Sequence, residues 1–228
     1  QLWETVAAEV EKMGGKILLG AEVLGLTTEG GRVRSLRYRD ESGEHTAEGD
    51  AFFSSMPVKD LVAGMNDVPA DVARVAAGLP YRDFVTVGLL LDRLNLKNET
   101  NHKTLGDIVP DCWIYVQDTN VKLGRIQIFN NWSPYLVEDP EHTVWIGLEY
   151  FCNEGDEFWN MSEEECVALA ARELCTMGVI DSPDHVRMSH RERVKKAYPA
   201  YFDTYDEMDK VVSYLSGFEN LYCVGRNG

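Results

Sequence analysis

The chain has 228 residues, of which 44% are hydrophobic and 26% are charged, a globular composition that excludes disordered, collagen-like and coiled-coil chains. It carries 22 Lys and Arg residues against 38 Asp and Glu residues, which gives a net charge of −16. Because so acidic a surface repels phosphate backbones and anionic lipid heads, general binding to nucleic acid or to a membrane surface is not expected.

Neither a metal site nor a disulfide framework is expected. The five cysteines are widely spaced and include no CxxC, and the five histidines show no ligand spacing. No run of about 18 apolar residues is present that would span a bilayer. We expect a cytoplasmic protein with no membrane span.

The first residues predict one helix followed by strands. Apolar residues recur at helical spacing at Leu2, Val6, Val10 and Met13. The helix should end at the Gly-Gly pair 14–15, an apolar strand is predicted over 16–26, and the Gly-Gly pair 30–31 predicts a hairpin turn into a second strand.

Further along, a strand is predicted over residues 51–56, since the residue before Pro57 avoids helical geometry. Residues 58–65 and 69–77 predict two short helices. An antiparallel sheet is predicted next, because apolar residues alternate with others in its later strands. Its predicted strands cover residues 84–91, 112–116, 125–129 and 143–151.

The last part of the chain returns to helices and a strand. Ser162 and Glu165 have the spacing of a capping box at the start of a helix. A final helix is predicted over 203–216, and it leads into a buried strand over 221–224. This element order predicts an α+β fold with an inserted domain.

We place the domains at 1–66, 67–195 and 196–228. The chain begins within a helical pattern and stops at a glycine turn after a strand, so we expect the central fragment of a longer protein. The common motifs GxGxxG, GxxxxGK[ST], HExxH and GxSxG do not occur. Composition and spacing alone therefore lead no further than an α+β fragment.

Two segments carry a family resemblance. The first joins the helix that ends at 14–15, the strand with Val23, the glycine hairpin and the strand 50–57, which reads Asp-Ala-Phe-Phe-Ser-Ser-Met-Pro. This run resembles the flavin amine oxidase superfamily, which includes monoamine oxidases, protoporphyrinogen oxidase, phytoene desaturases and UDP-galactopyranose mutase. The second runs from the Tyr-Pro pair 198–199 to the Gly-Arg pair 225–226, and it is most similar to the UDP-galactopyranose mutases.

The resemblance implies FAD as cofactor. The cofactor-binding residues that it implies are Val23, Ser55, Met56, Pro57, Gly225 and Arg226. Val23 would pair its backbone with the adenine, and 55–57 would pass the adenosine half. The turn at 225–226 would meet flavin and substrate, with Arg226 as the implied catalytic residue. The plainer alternatives are a core valine, a strand that ends at a proline and a surface arginine.

The resemblance also implies that residues 1–66 and 196–228 are parts of an FAD-binding domain. The inserted domain between them would bind the substrate. Tyr198 matches a tyrosine that helps to bind a substrate diphosphate. Tyr115, Asn130 and Trp132 lie on or beside the inserted sheet, where aromatic and amide groups suit a sugar ring. The alternative for Tyr198 is a half-buried tyrosine capped by a proline, and the alternative for Tyr115, Asn130 and Trp132 is core packing.

We therefore expect an FAD-dependent oxidoreductase or a flavin-dependent mutase, an isomerase, that acts on a nucleotide sugar or a related glycan. Two alternatives stay open: an amine oxidase or desaturase that oxidises an amine or a C–H bond, and a non-catalytic carbohydrate-binding module. Because the unit that would cradle the FAD pyrophosphate is not in this sequence, FAD should be absent from the fragment and the fragment should be inactive. Uncovered apolar surface would support a homodimer. Residues 1–66 and 196–228 should join in one layer.

Overall fold

The computed structural model describes residues 2–225 of the chain. Its helices are α1 (Leu2–Lys12), α2 (Val58–Ala63), α3 (Ala70–Gly78), α4 (Phe129–Trp132), α5 (Glu157–Asn160), α6 (Glu163–Thr176) and α7 (Met208–Ser216). Its strands are β1 (Glu22–Glu29), β2 (Arg32–Asp40), β3 (Gly43–Glu48), β4 (Phe52–Ser54), β5 (Tyr81–Leu91), β6 (Trp113–Tyr115), β7 (Arg125–Ile128), β8 (Val144–Cys152), β9 (Val186–Pro199) and β10 (Leu221–Cys223). Together they form the mixed α+β fold that the sequence predicts.

The chain divides into two compact units. The first comprises the residues up to Pro80 together with those from Pro199 onward, and the second comprises Tyr81–Tyr198. The sequence predicts these borders earlier, at 66/67 and 195/196. In the structure the first border lies after Pro80, because α3 belongs to the first unit. This helix packs on α2 and α7, and its Arg74 Nη2 donates to Glu207 Oε2 at 2.7 Å.

An antiparallel meander with strand order β1-β2-β3 lies in the first unit. Its first strand begins at Glu22 and not at residue 16, because the apolar run before it turns at Gly20, where φ is +70°. Residues 17–19 are exposed as a result, with Leu19 89% accessible. The apolar face of α1 is also uncovered, since no residue of that helix is buried.

A two-stranded parallel sheet joins the early and late segments of the first unit. In it, Phe52 lies opposite Leu221, and Ser54 lies opposite Cys223. Strands from the two segments that are predicted to join in one layer, 1–66 and 196–228, therefore lie side by side in one sheet. Parallel strands are ordinarily covered on both faces, yet Phe53 and Tyr222 stack on each other at 4.9 Å with their side chains exposed.

Asn220 fastens the returning segment to the meander. Its Nδ2 donates to the carbonyl of Val33 at 2.9 Å, and its Oδ1 accepts the Val33 N–H at 2.8 Å. The carbonyl of Asn220 also accepts the N–H of Phe52 at 2.8 Å. Asn220 is buried, so each of these polar groups needs the partner that it has.

The second unit is built on a five-stranded sheet with strand order β6-β7-β8-β5-β9. Alternate residues of the inner strands pack with α6 in one hydrophobic core, which includes Leu89, Ile128, Leu148 and Leu174. Ser162 and Glu165 cap α6 reciprocally, as predicted: the Ser162 hydroxyl accepts the Glu165 N–H, and the Glu165 carboxylate accepts the Ser162 N–H.

The edge strand β9 is absent from the sequence-based assignment. It runs for 14 residues, VRMSHRERVKKAYP, and most of its side chains are exposed or half-buried. Its many charged residues interrupt the alternation of apolar and polar residues by which strands are recognised. Charged side chains are common on edge strands, where they prevent pairing with other chains. Among the described residues, no helix is both long enough and apolar enough to cross a membrane.

Candidate functional site

Two predicted cofactor segments meet in the first unit. The N–H of Val224 donates to the carbonyl of Ser54 at 2.8 Å. A Cβ on Gly225 would lie 3.0 Å from the Ser55 carbonyl oxygen and 3.3 Å from that of Met56. A glycine lets the two backbones approach this closely without displacing either carbonyl. The structure thus brings together Ser55, Met56 and Gly225, with Pro57 next in the chain, at the ends of two parallel strands.

Val23 lies in the meander and not in the parallel pair. It is half-buried in β1 and pairs with Tyr38 of β2. Its side chain is consistent with the plainer interpretation of a packing residue, and its backbone takes part in an ordinary strand ladder. Arg226, the implied catalytic residue, lies outside the described residues.

A row of polar and aromatic side chains crosses the second unit's sheet on the face opposite the hydrophobic core. Tyr115 of β6 lies in register with Arg125 of β7, and Arg125 lies in register with Glu149 of β8. Trp113 and Gln127 form the neighbouring pair on the same face. With Tyr198 these residues constitute the sheet-face cluster: Trp113, Tyr115, Arg125, Gln127, Glu149 and Tyr198.

A buried ion pair forms the centre of the cluster. The Arg125 side chain is 11% exposed and the Glu149 side chain 2%. Arg125 Nε donates to Glu149 Oε2 at 2.8 Å, and Arg125 Nη2 donates to the same oxygen. Gln127 Nε2 donates to the other carboxylate oxygen. Both oxygens therefore have donors, as a carboxylate removed from water requires.

The surroundings of Arg125 keep it charged. Burial by itself would lower its pKa, but hydrogen bonds to Tyr198, Glu149 and Tyr115 outweigh burial and raise the pKa above its ordinary value. Arg125 Nη2 donates to the Tyr198 hydroxyl at 2.9 Å. Its guanidinium carbon also lies 4.5 Å from the centre of the Trp113 ring, within cation–π distance.

Of the four predicted substrate residues, Tyr115 and Tyr198 come together around Arg125. Trp132 adjoins the cluster, because its ring meets that of Trp113 edge-on at 5.1 Å. Trp113, Tyr115 and Trp132 are all exposed over a third or more of their surface. The cluster therefore offers open aromatic surface around a neutralised charge pair.

Asn130 is different, because its amide is used by the fold. The residue is buried, and its Nδ2 donates to the carbonyl of Thr143 at 2.8 Å. Its Oδ1 accepts the N–H of Trp145 at 3.0 Å. These bonds join α4 to the start of β8, so the contacts of Asn130 lend no support to its predicted role as a substrate ligand.

Arg125, Gln127 and Glu149 are the residues that the sequence-based analysis misses. A signal for two of them was present: Arg125 and Gln127 alternate with Ile126 and Ile128, so they had to face away from the core. Their partner Glu149 depends on the register between β7 and β8, which a single sequence does not reveal.

Within residues 2–225, no group of three or more His, Cys, Asp or Glu side chains has the arrangement of a metal site. All five cysteines are free thiols. Burial raises the pKa of Cys152 to about 11, so that thiol is a poor nucleophile at neutral pH.

Comparison with known families finds one match along nearly the whole chain. The family model described as flavin containing amine oxidoreductase matches residues 1–226. No curated protein matches the chain.

Several solved structures share the fold. Reduced UDP-galactopyranose mutase superposes with a TM-score of 0.69 at 15% identity, over 97% of this chain and 45% of that one. A protoporphyrinogen oxidase candidate from Exiguobacterium sp. 255-15 gives 0.67 at 14% identity, over 98% and 46%. Wild-type putrescine oxidase bound to putrescine gives 0.61 at 11% identity, over 94% and 44%. The chain thus spans less than half the length of these structures.

Proposed function

The chain belongs to the family of flavin-containing amine oxidoreductases, and from this premise we propose that it is the central part of an FAD-dependent enzyme that acts on a nucleotide sugar or a related glycan. In this proposal the sheet-face cluster contacts the substrate, and residues 55–57 and 225–226 contact the cofactor. The whole enzyme is a flavin-dependent mutase or oxidoreductase.

The choice of substrate rests on one observation: the charges of Arg125 and Glu149 in the sheet-face cluster compensate each other. An ammonium group would pair with a free carboxylate or lie over a free aromatic face. Arg125 and Gln127 already occupy Glu149, and the Arg125 guanidinium already lies over the Trp113 and Tyr115 rings, where a second cation would be repelled. Because Arg125 pairs with Glu149, its charge is not free for an anion. What remains is neutral aromatic surface from Trp113, Tyr115 and Trp132, which suits an uncharged ring with hydroxyl groups.

Several residues of this chain fit part of an FAD site. Gly225 brings its backbone close to the carbonyls of Ser55 and Met56 at the ends of the two strands. We assign these residues, with Val23, Pro57 and Arg226, to the cofactor. The glycine-rich turn that would hold the pyrophosphate does not occur in the 228 residues. When bound, the flavin would supply the redox or nucleophilic chemistry.

The chain's own residues bind and orient the substrate in this proposal. Trp113 and Trp132 would stack on a ring of the substrate. Tyr198, whose hydroxyl is oriented by Arg125, would donate to a phosphate or hydroxyl oxygen, and Arg226 would hold the diphosphate charge. The exposed Phe53–Tyr222 stack and the apolar face of α1 would be covered by chain that contains the GxGxxG unit, or by a second copy in a homodimer.

The proposal also covers the activity of the isolated chain, its location in the cell and a second candidate reaction. The 228-residue chain alone would bind FAD weakly and be inactive, because it lacks the pyrophosphate cradle. Five free cysteines are consistent with the reducing conditions of the cytoplasm. A flavoenzyme that oxidises amines is the second candidate, since putrescine oxidase shares the fold, but the neutralised Glu149 disfavours it.

The test uses the full-length protein purified from its own gene. We expect it to be yellow, to release FAD on denaturation and to interconvert UDP-galactopyranose and UDP-galactofuranose when its flavin is reduced. Oxidation of putrescine without turnover of the nucleotide sugar would support the amine oxidase instead. A colourless protein that takes up no flavin would refute both, and glycan binding by such a protein would indicate a non-catalytic module.

A further inference from the structure

A buried carboxylate on the far side of the sheet holds the loop that joins two strands of the sheet-face cluster. Glu173 lies near the end of α6 and is only 6% exposed. Its Oε1 accepts the N–H of Lys122 at 2.7 Å, and its Oε2 accepts the N–H of Leu123 at 3.1 Å. Each carboxylate oxygen thus has its own backbone donor, and those are charge-assisted hydrogen bonds.

The loop that Glu173 holds connects β6 to β7. It starts one residue after Tyr115 and ends one residue before Arg125, and these two residues face each other across the strands. Within it, the N–H of Val116 donates to the carbonyl of Gly124 at 3.0 Å. Lys122 and Leu123 thus lie two or three residues before Arg125, which is at the centre of the cluster.

The end of the loop is closely packed. Leu123, whose N–H donates to Glu173, is 2% exposed. A Cβ on Gly124 would lie 2.6 Å from the Phe151 ring, so the chain passes against β8 immediately before Arg125. The Tyr150 side chain is buried nearby, and burial together with the Glu173 charge raises its pKa.

We infer that Glu173 is a positioning residue: by fastening the β6–β7 loop to α6, it fixes the placement of Arg125, Tyr115 and Trp113 on the opposite face of the sheet. That Glu173 holds the loop and positions the cluster does not depend on the proposed function. That this positioning matters for substrate binding rests on the proposed substrate site. A glutamine at this position has the same size but replaces one acceptor oxygen with a donor, which leaves one loop N–H facing another donor.

The experiment labels the 228-residue chain with 5-fluorotryptophan and records fluorine NMR spectra of the wild type and of Glu173→Gln, with the Trp113 resonance assigned through Trp113→Phe. Hydrogen exchange is measured on the same proteins. We expect exchange at Lys122 and Leu123 to become roughly tenfold faster or more, as loss of a buried, charge-assisted bond implies. The Trp113 resonance should shift or broaden, while that of Trp3 stays in place. The control is Glu164→Gln, an exposed change on the same helix that should alter neither.

Two results would overturn the inference. One is unchanged exchange at Lys122 and Leu123 in Glu173→Gln. The other is faster exchange with an unmoved Trp113 resonance, because the loop would then be free without effect on the cluster. If Glu173→Gln does not fold, Glu173→Asp decides by the same measurements, since its shorter side chain draws the carboxylate back from both amides. Titration of the FAD-loaded full-length wild type with UDP-galactose tests the proposed substrate separately: no binding by that protein would count against that substrate alone.

Discussion

Replacing Glu149 with glutamine should destabilise the second unit strongly, because it leaves Arg125 buried without its counter-charge. The two side chains are 11% and 2% exposed, so solvent screens their interaction little. Removal of one partner from such a pair costs about 3–5 kcal/mol. We take about 3 kcal/mol for Glu149→Gln, since the amide keeps one acceptor for Arg125. This corresponds to a change of roughly 150-fold in the unfolding equilibrium.

Urea unfolding followed by tryptophan fluorescence measures this loss. Four of the five tryptophans lie within Tyr81–Tyr198, so the signal reports mainly on the second unit. The double variant Arg125→Met with Glu149→Leu should recover most of the loss, because it removes both charges. As a control, Arg93→Met breaks an exposed pair with Asp181 and should cost less than about 0.5 kcal/mol. A loss below about 1 kcal/mol in Glu149→Gln, or a double variant as unstable as Glu149→Gln, would refute the reasoning.

Three further predictions concern the first unit. Asn220→Ala leaves a buried N–H and a buried carbonyl without partners and should lower the free energy of unfolding by about 2–4 kcal/mol, measured by urea titration; a loss within error would contradict the clamp. Gly225→Ala should cost about 1 kcal/mol through overlap with the Ser55 carbonyl, whereas Gly49→Ala, whose Cβ meets nothing closer than 3.8 Å, should be neutral by the same assay. Glu207 has its pKa lowered to about 2 by hydrogen bonds to Arg74 and Lys210; its stabilising contribution should therefore be complete above about pH 4.5 and be lost as the pH falls towards 2. A carboxyl NMR titration that gives Glu207 an ordinary pKa would contradict this.

Local patterns in the sequence carry most of the fold. Alternation of apolar residues identifies β7 and β8, and the Ser162–Glu165 spacing identifies the start of α6, because each depends on neighbours in the chain. The same reasoning fails where contacts with distant parts of the chain determine the secondary structure. The apolar run before Glu22 looks like strand but turns at Gly20, and β9 looks like a polar segment but forms a long edge strand.

The candidate site is less accessible to sequence reasoning than the fold. Tyr115 and Tyr198 are predicted from family resemblance, yet the pair that joins them, Arg125 and Glu149, becomes visible only when the strand register is known. Asn130 shows the converse: an amide beside aromatic residues suggests a ligand contact, but its bonds hold backbone groups. The family match along residues 1–226 confirms the resemblance to the flavin amine oxidases.

The most direct test of the account is the affinity of the FAD-loaded full-length protein for UDP-galactose, measured by calorimetry in the wild type and in Trp113→Ala. Stacking on the exposed indole predicts a dissociation constant at least about tenfold higher in Trp113→Ala. An unchanged constant is expected in Trp3→Ala, an exposed tryptophan of the first unit. Equal affinity in wild type and Trp113→Ala, or binding of putrescine but not of UDP-galactose, would contradict the assignment of the sheet-face cluster to the uncharged sugar ring of the substrate.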